Sequence, residues 1–147
     1  MLFRSVDGEL QVRLDNLFQS ISYATRLKAF GQVGKANSIA RQIIKQLGIQ
    51  TSFNNNLGHM YQGIAYAILE DRDSAVHQFQ LFEQTSRFSW ISLWDALFFR
   101  ESFGVFDGIK EDIGVRAAYE KLKTRNLKRV QDIHAAVPGV IAAGDLQ

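Results

Sequence analysis

Apolar positions recur with a helical period along almost the whole chain. Leu10, Leu14, Leu17, Phe18 and Ile21 follow i, i+4, i+7, i+8, i+11 spacing and predict a first helix over roughly 7–30. Gly31-Gln-Val-Gly34 ends it, because glycine takes the left-handed conformation that closes a helix. Ala36, Ile39, Ala40, Ile43 and Leu47 stripe a second helix, stopped at Gly48. The polar run Thr51-Ser-Phe-Asn-Asn-Asn56 supplies capping side chains for a third helix reaching about Leu69. Asp71, Asp73 or Ser74 can cap a fourth, with Ala75, Phe79 and Phe82 on its apolar face. After a break at Thr85-Ser-Arg87, a fifth carries Trp90, Leu93, Trp94, Leu97 and Phe98. Gly104 to Gly108 reads as a turn with Asp107 as N-cap, and a sixth helix follows with Val115, Ala118, Tyr119 and Leu122. Asn126 is expected to cap a short seventh helix holding Leu127, Val130, Ile133 and Val137, which Pro138-Gly139 stops.

No stretch shows the strict alternation of a half-buried strand. The expected fold is therefore all-α: an array of antiparallel helical hairpins, or a helical bundle, of about seven helices. Hairpins are expected over roughly 7–47, 54–85 and 88–125, with a C-terminal helix over 127–137, in a single domain spanning 1–147. The chain's 147 residues suffice to bury a core, and 46% apolar content argues against intrinsic disorder.

Composition narrows the chemistry. The sequence has no Cys, which removes disulfides, thiol nucleophiles and thiolate metal sites and fits a cytoplasmic protein. No apolar run approaches the roughly 18 residues of a membrane span, and Met1 to Asp7 lacks a signal-peptide core. His59, His77 and His134 are isolated, without the paired helical spacing of a zinc site. Asp71 and Asp73 lack the other ligands of a calcium loop. Gly31-Gln-Val-Gly34-Lys35 has neither the ending nor the preceding strand of a phosphate loop. No nucleophile elbow and no acid–base constellation is visible, so neither enzymatic activity nor a metal or cofactor is expected.

Gly63, Tyr66, Ala75 and Phe79 carry the most specific signal. They place a small residue and then an aromatic, one turn on, in each of two adjacent helices separated by Glu70-Asp-Arg-Asp73. This resembles a tetratricopeptide-type repeat, centred on residues 57–85. Laying Ala36 in register with Ala75 gives an offset of 39 residues, against a usual period of roughly 34. Ala24 then takes the place of Gly63, Leu27 that of Tyr66 and Ala40 that of Phe79. The resemblance covers roughly 10–125 and weakens along the third hairpin, where Trp94 is too large for the close-contact site. It implies a scaffold that binds other proteins.

Carried onto this chain, the family's concave groove would use Leu57, Met60, Ile64, Ala67 and Ile68. These are apolar, so the third helix is greasy on two faces. Either it lies at the centre of the fold, covered by later helices, or it opens a hydrophobic groove for a partner's amphipathic helix or a second copy of the chain. Trp90 and Trp94 pose the same choice between core and interface anchor, with Asp95 expected to face solvent.

Net charge is only +2, yet Lys121, Lys123, Arg125, Lys128 and Arg129 place five cations within nine residues. They could contact phosphates or an acidic partner. The competing reading is a solvated face, with several cations in the last turn of the sixth helix, where the helix dipole favours them. The leading functional expectation is an adaptor or chaperone-like module that binds a protein partner, or itself. A regulatory domain sensing a ligand or peptide, and a nucleic-acid accessory protein using residues 121–129, are the alternatives.

Overall fold

The computed structural model describes residues 10–49, 55–85, 91–100 and 102–137. Among them, seven α-helices form an all-α array: α1 Leu17–Ala29, α2 Val33–Ile49, α3 Asn55–Ile68, α4 Arg72–Thr85, α5 Ile91–Trp94, α6 Asp107–Lys110 and α7 Ile113–Ala136. A 3-10 turn, Leu14–Asn16, leads into α1, and a π-helical stretch, Asp95–Arg100, continues α5. The expected cappers Thr51 to Asn54, the break at Ser86-Arg87 and the stop at Pro138-Gly139 lie outside the described residues.

The two hairpin turns close by the same hydrogen-bond scheme. At the end of α1 the Gln32 N–H donates to the Leu27 carbonyl (2.8 Å) and the Gly31 N–H to that of Lys28 (3.1 Å). Gly31 holds φ at +86°, the conformation that turns the chain back with its last carbonyls satisfied. At the end of α3 the Asp71 N–H donates to the Tyr66 carbonyl (3.0 Å) and the Glu70 N–H to that of Ala67 (3.0 Å). Here the left-handed position is Glu70, with φ at +61°, where a Cβ is unfavourable. Lys28 of α1 supports the turn by donating to the Ile68 carbonyl and lying 3.7 Å from the Glu70 carboxylate. Because Glu70 is itself exposed, relief of backbone strain should outweigh loss of that ion pair. Glu70→Gly is expected to stabilise the protein by roughly 0.5–1 kcal/mol in chemical denaturation.

Asp71 is the residue that caps α4, accepting from the Ser74 N–H (3.2 Å) and hydroxyl (2.8 Å). The hairpin of α3 and α4 is drawn together at Gly63, where an added Cβ would lie 2.5 Å from Cε1 of Phe79. α2 packs on α1 and α3, and α1 also reaches α3, so α3 is covered from several sides. The buried side chains form one cluster running from Leu10 to Leu122.

α7 packs along the other side of α4. Arg72 meets Asp112 at 2.9 Å, Gly114 faces Val76, and Arg125 meets Glu83 at 3.1 Å. Contacts therefore advance together along both helices, which run parallel. A Cβ on Gly114 would lie 2.8 Å from Cγ1 of Val76, so a glycine permits this approach as Gly63 does on the opposite side.

The C-terminal third departs from the sequence expectation in three ways. α7 is one helix through Asn126, with no break between a sixth and a seventh element. A single Asn costs a helix interior only a few tenths of a kcal/mol, and neither Gly nor Pro interrupts residues 115–137. Asp107 does not cap a long helix; it lies inside the short α6 and pairs with Lys110 at 3.4 Å. The cap of α7 is Asp112, whose carboxylate accepts from the N–H groups of Gly114 (2.8 Å) and Val115 (3.4 Å).

Burial alone would raise the Asp112 carboxyl, but Arg72 and these two N–H donors outweigh it and hold it below the ordinary carboxylate range. A carboxyl with a depressed folded value stabilises above its unfolded value, near pH 4, and that contribution is lost as pH falls through the folded value. Wild type is thus expected to lose stability faster than Asp112→Asn in acid-range melts. Asp112→Ala, which removes the cap as well, should cost about 1 kcal/mol at neutral pH.

Candidate functional site

The apolar residues singled out on α3 lie in the interior. Met60, Ile64 and Ile68 are fully buried and Ala67 nearly so; Leu57 is half-buried and packs against the core. They line no open groove. The third helix is central, but its cover differs from the expectation: the earlier helices α1 and α2 and its hairpin partner α4 pack on it, in place of the later helices five to seven. Tyr61 is buried beside them, which pushes its hydroxyl up to about 12. The unfolded chain releases this proton near pH 10. Stability should therefore fall as pH rises from about 10 towards the folded value, and the late part of an absorbance titration should be lost in Tyr61→Phe even though burial and Asp95 also raise Tyr119.

Trp94 is also core. Its indole stacks on Phe79 with centroids 4.9 Å apart and takes Phe82 edge-on at 5.6 Å. Phe98 adds rings on Phe79 (4.9 Å) and Phe106 (4.8 Å). Such pairs add to the gain from area burial alone. Trp90 lies outside the described residues. Asp95, expected to face solvent, is half-buried, accepting from the Tyr119 hydroxyl at 3.2 Å and pairing with Arg100 at 2.6 Å. Its position opening the π-helical stretch brings it round towards α7, which a regular helical wheel does not anticipate.

The basic tract behaves differently from its sequence reading. Lys121, Lys123, Arg125, Lys128 and Arg129 are all exposed, but they sit in the middle of α7 instead of its last turn. The helix dipole, which acts within the terminal turn, does not account for them. Arg125 and Lys128 have structural tasks. Arg125 donates to the Glu83 side chain at 3.1 Å and to its backbone carbonyl at 2.6 Å, satisfying a carbonyl in the last turns of α4. Lys128 pairs with Asp132 one turn on, at 2.9 Å. Lys121, Arg125 and Lys128 share a shallow surface groove with Glu83, Glu120 and Thr124, so that face carries both signs.

A surface that the division into two short helices obscured lies at the far end of α7. At 100° per residue, Val115, Tyr119 and Leu122 share one face with Asn126, Val130, Ile133 and Val137. The first group packs inward: Val115 and Leu122 are buried, and Tyr119 is half-buried against the core. Beyond Arg125, the α4 partner ends at Thr85, while α7 continues for about 16 Å at 1.5 Å per residue. Val130, Ile133 and Val137 remain 40%, 50% and 43% exposed, and Leu127, at the edge of the stripe, 58%. The signal was present in the sequence as an unbroken helical phase from Val115 to Val137.

Among the described residues, no group of three or more His, Asp or Glu is placed to hold a metal ion, and no helix is long and apolar enough to cross a membrane. Comparison with protein-family models, with curated proteins and with solved structures finds no match to this chain.

Proposed function

We propose that the chain is a non-enzymatic protein-interaction module of the cytoplasm, built on tetratricopeptide-like hairpins, whose contact element is the projecting half of α7. One observation carries this reading. The apolar face that docks α7 onto the body continues past the end of α4 into Leu127, Val130, Ile133 and Val137, which remain 40–58% exposed. Contiguous apolar surface rimmed by charge is the ordinary mark of a protein contact. Burying Leu127, Val130, Ile133 and Val137, each about half-exposed, would contribute roughly 3–5 kcal/mol before ordering costs. The two closely packed hairpins behind it supply a rigid platform. The cysteine-free sequence suits a reducing compartment.

The test is capture from native lysate by wild type and by the double variant Val130→Asp, Ile133→Asp. Both positions are solvent-facing, so the variant should keep its helical content and melting temperature. The reading expects a wild-type partner that the folded variant loses. Equal capture by both proteins removes α7 as the contact element.

A further inference from the structure

Separately from the α7 face, we infer that α2 carries a docking site for an extended peptide of a partner protein, with apolar side chains two residues apart, which residues 10–13 of this chain fill as a tethered occupant. The periodicity predicts helix from residue 7, yet these four residues lie outside every described helix. Leu10 and Val12 are buried in the core cluster, whereas Gln11 and Arg13 are exposed. That is the two-residue period of an extended segment laid against a body. Arg13 has the backbone of a strand, with φ at −136° and ψ at 162°.

Side-chain amides serve the backbone of this segment. Gln42, half-buried on α2, accepts from the Val12 N–H (3.2 Å) and donates to the Leu10 carbonyl (3.5 Å). In an extended chain these two groups point the same way, and they are the pair that one residue of a parallel strand engages. Asn16, buried at the start of α1, donates to the Gln11 carbonyl (3.0 Å) and accepts from the Arg13 N–H (2.8 Å). The Ser20 hydroxyl fixes it at 3.0 Å. Extended peptides are recognised in this way: main-chain groups meet fixed partners and alternate side chains enter pockets. The 3-10 turn Leu14–Asn16 joins the segment to α1 and is the hinge about which it leaves. A second copy's segment makes only the contacts that the tethered one already makes at an effective concentration of order millimolar, so it loses the competition at ordinary protein concentrations. A partner's segment wins by adding contacts through its intervening side chains, at the exposed positions of Gln11 and Arg13.

The experiment uses the full chain and a labelled synthetic peptide with the sequence of residues 8–15, read by fluorescence anisotropy. The peptide should bind Leu10→Ser, Val12→Ser, whose pockets are vacated, at least about tenfold more tightly than wild type, where the tethered segment competes. Affinity should fall about tenfold or more when Gln42→Ala is added to that protein, and equally when the peptide carries Val12→Pro, which has no N–H to donate. Adding Val130→Asp, Ile133→Asp instead should leave it unchanged; a loss there would place the peptide on α7. That loss, failure of the folded serine variant to bind, or binding indifferent to both Gln42→Ala and the proline overturns the proposal. A second measurement needs no variant. With unlabelled peptide at about millimolar concentration, hydrogen-exchange protection of the wild-type chain's own Val12 and Arg13 amides should fall about threefold or more while that of Ile43 stays the same. Unchanged protection at all three amides overturns the proposal. Wild-type self-association that rises with concentration and is abolished by Gln42→Ala would make a second copy's segment the occupant, and overturns it too.

Discussion

Ile64→Asp is expected to leave the chain unfolded at neutral pH. Ile64 is fully buried on a helix that contacts α1, α2 and α4. The substitution removes an apolar side chain worth about 2–3 kcal/mol on burial. It also places a carboxylate where no cation is described, adding several kcal/mol more. Together these approach the whole stability of an ordinary domain, about 5–15 kcal/mol. A buried carboxyl escapes part of the penalty by keeping its proton, so residual helicity should be greater near pH 4 than at pH 7. Circular dichroism and light scattering are the measurements, with Val130→Asp as control. That variant carries the same charge on a 40% exposed position and should fold normally. The contrast separates the two readings of an apolar helix directly. A well-folded Ile64→Asp protein that had merely lost a partner would mean that α3 faces a groove after all.

Helices α1 to α4 were legible in the sequence because each is amphipathic, and the turn at Gly31 because its positive φ calls for glycine. Gly63 and Phe79 were legible as positions of the hairpin pattern, but that they pack directly on each other, with an added Cβ 2.5 Å from the ring, depends on how the two helices are set side by side. The failures share a cause: each depended on what the element packs against. Asn126 looked like a cap, yet α7 runs through it because the helical phase is unbroken and one Asn is a weak obstacle. Asp95 looked exposed on an ideal wheel, yet the wider π-helical turn and Tyr119 give its carboxylate a partner. For the apolar stripes, periodicity identified the face without saying who covers it. Met60 and Ile64 are covered from within, whereas Val130 and Ile133 pass the end of α4. Only the parallel register of α4 and α7, set by Arg72 with Asp112 and Arg125 with Glu83, separates the two cases, and no single-helix pattern contains it.

The same reasoning gives a second large effect, at the contact that holds α3 to α4. Gly63→Ala would put a methyl group 2.5 Å from Cε1, 2.7 Å from Cδ1 and 3.0 Å from Cζ of Phe79. The ring has little room to retreat, because Trp94 and Phe98 lie against it at 4.9 Å each. Elsewhere in a helix the change would gain about 1 kcal/mol; here overpacking should reverse the sign and leave a net loss of about 2 kcal/mol. Phe79→Ala empties the centre of the aromatic cluster and should cost about 3–5 kcal/mol. The two losses should not add. With the ring gone the methyl enters vacated space, so Gly63→Ala in the Phe79→Ala background should be neutral or stabilising by up to about 1 kcal/mol. Chemical denaturation of the four proteins measures the coupling. A sign reversal between backgrounds identifies the ring as what excludes a side chain at residue 63. Additive losses would place the constraint elsewhere along α3 and α4.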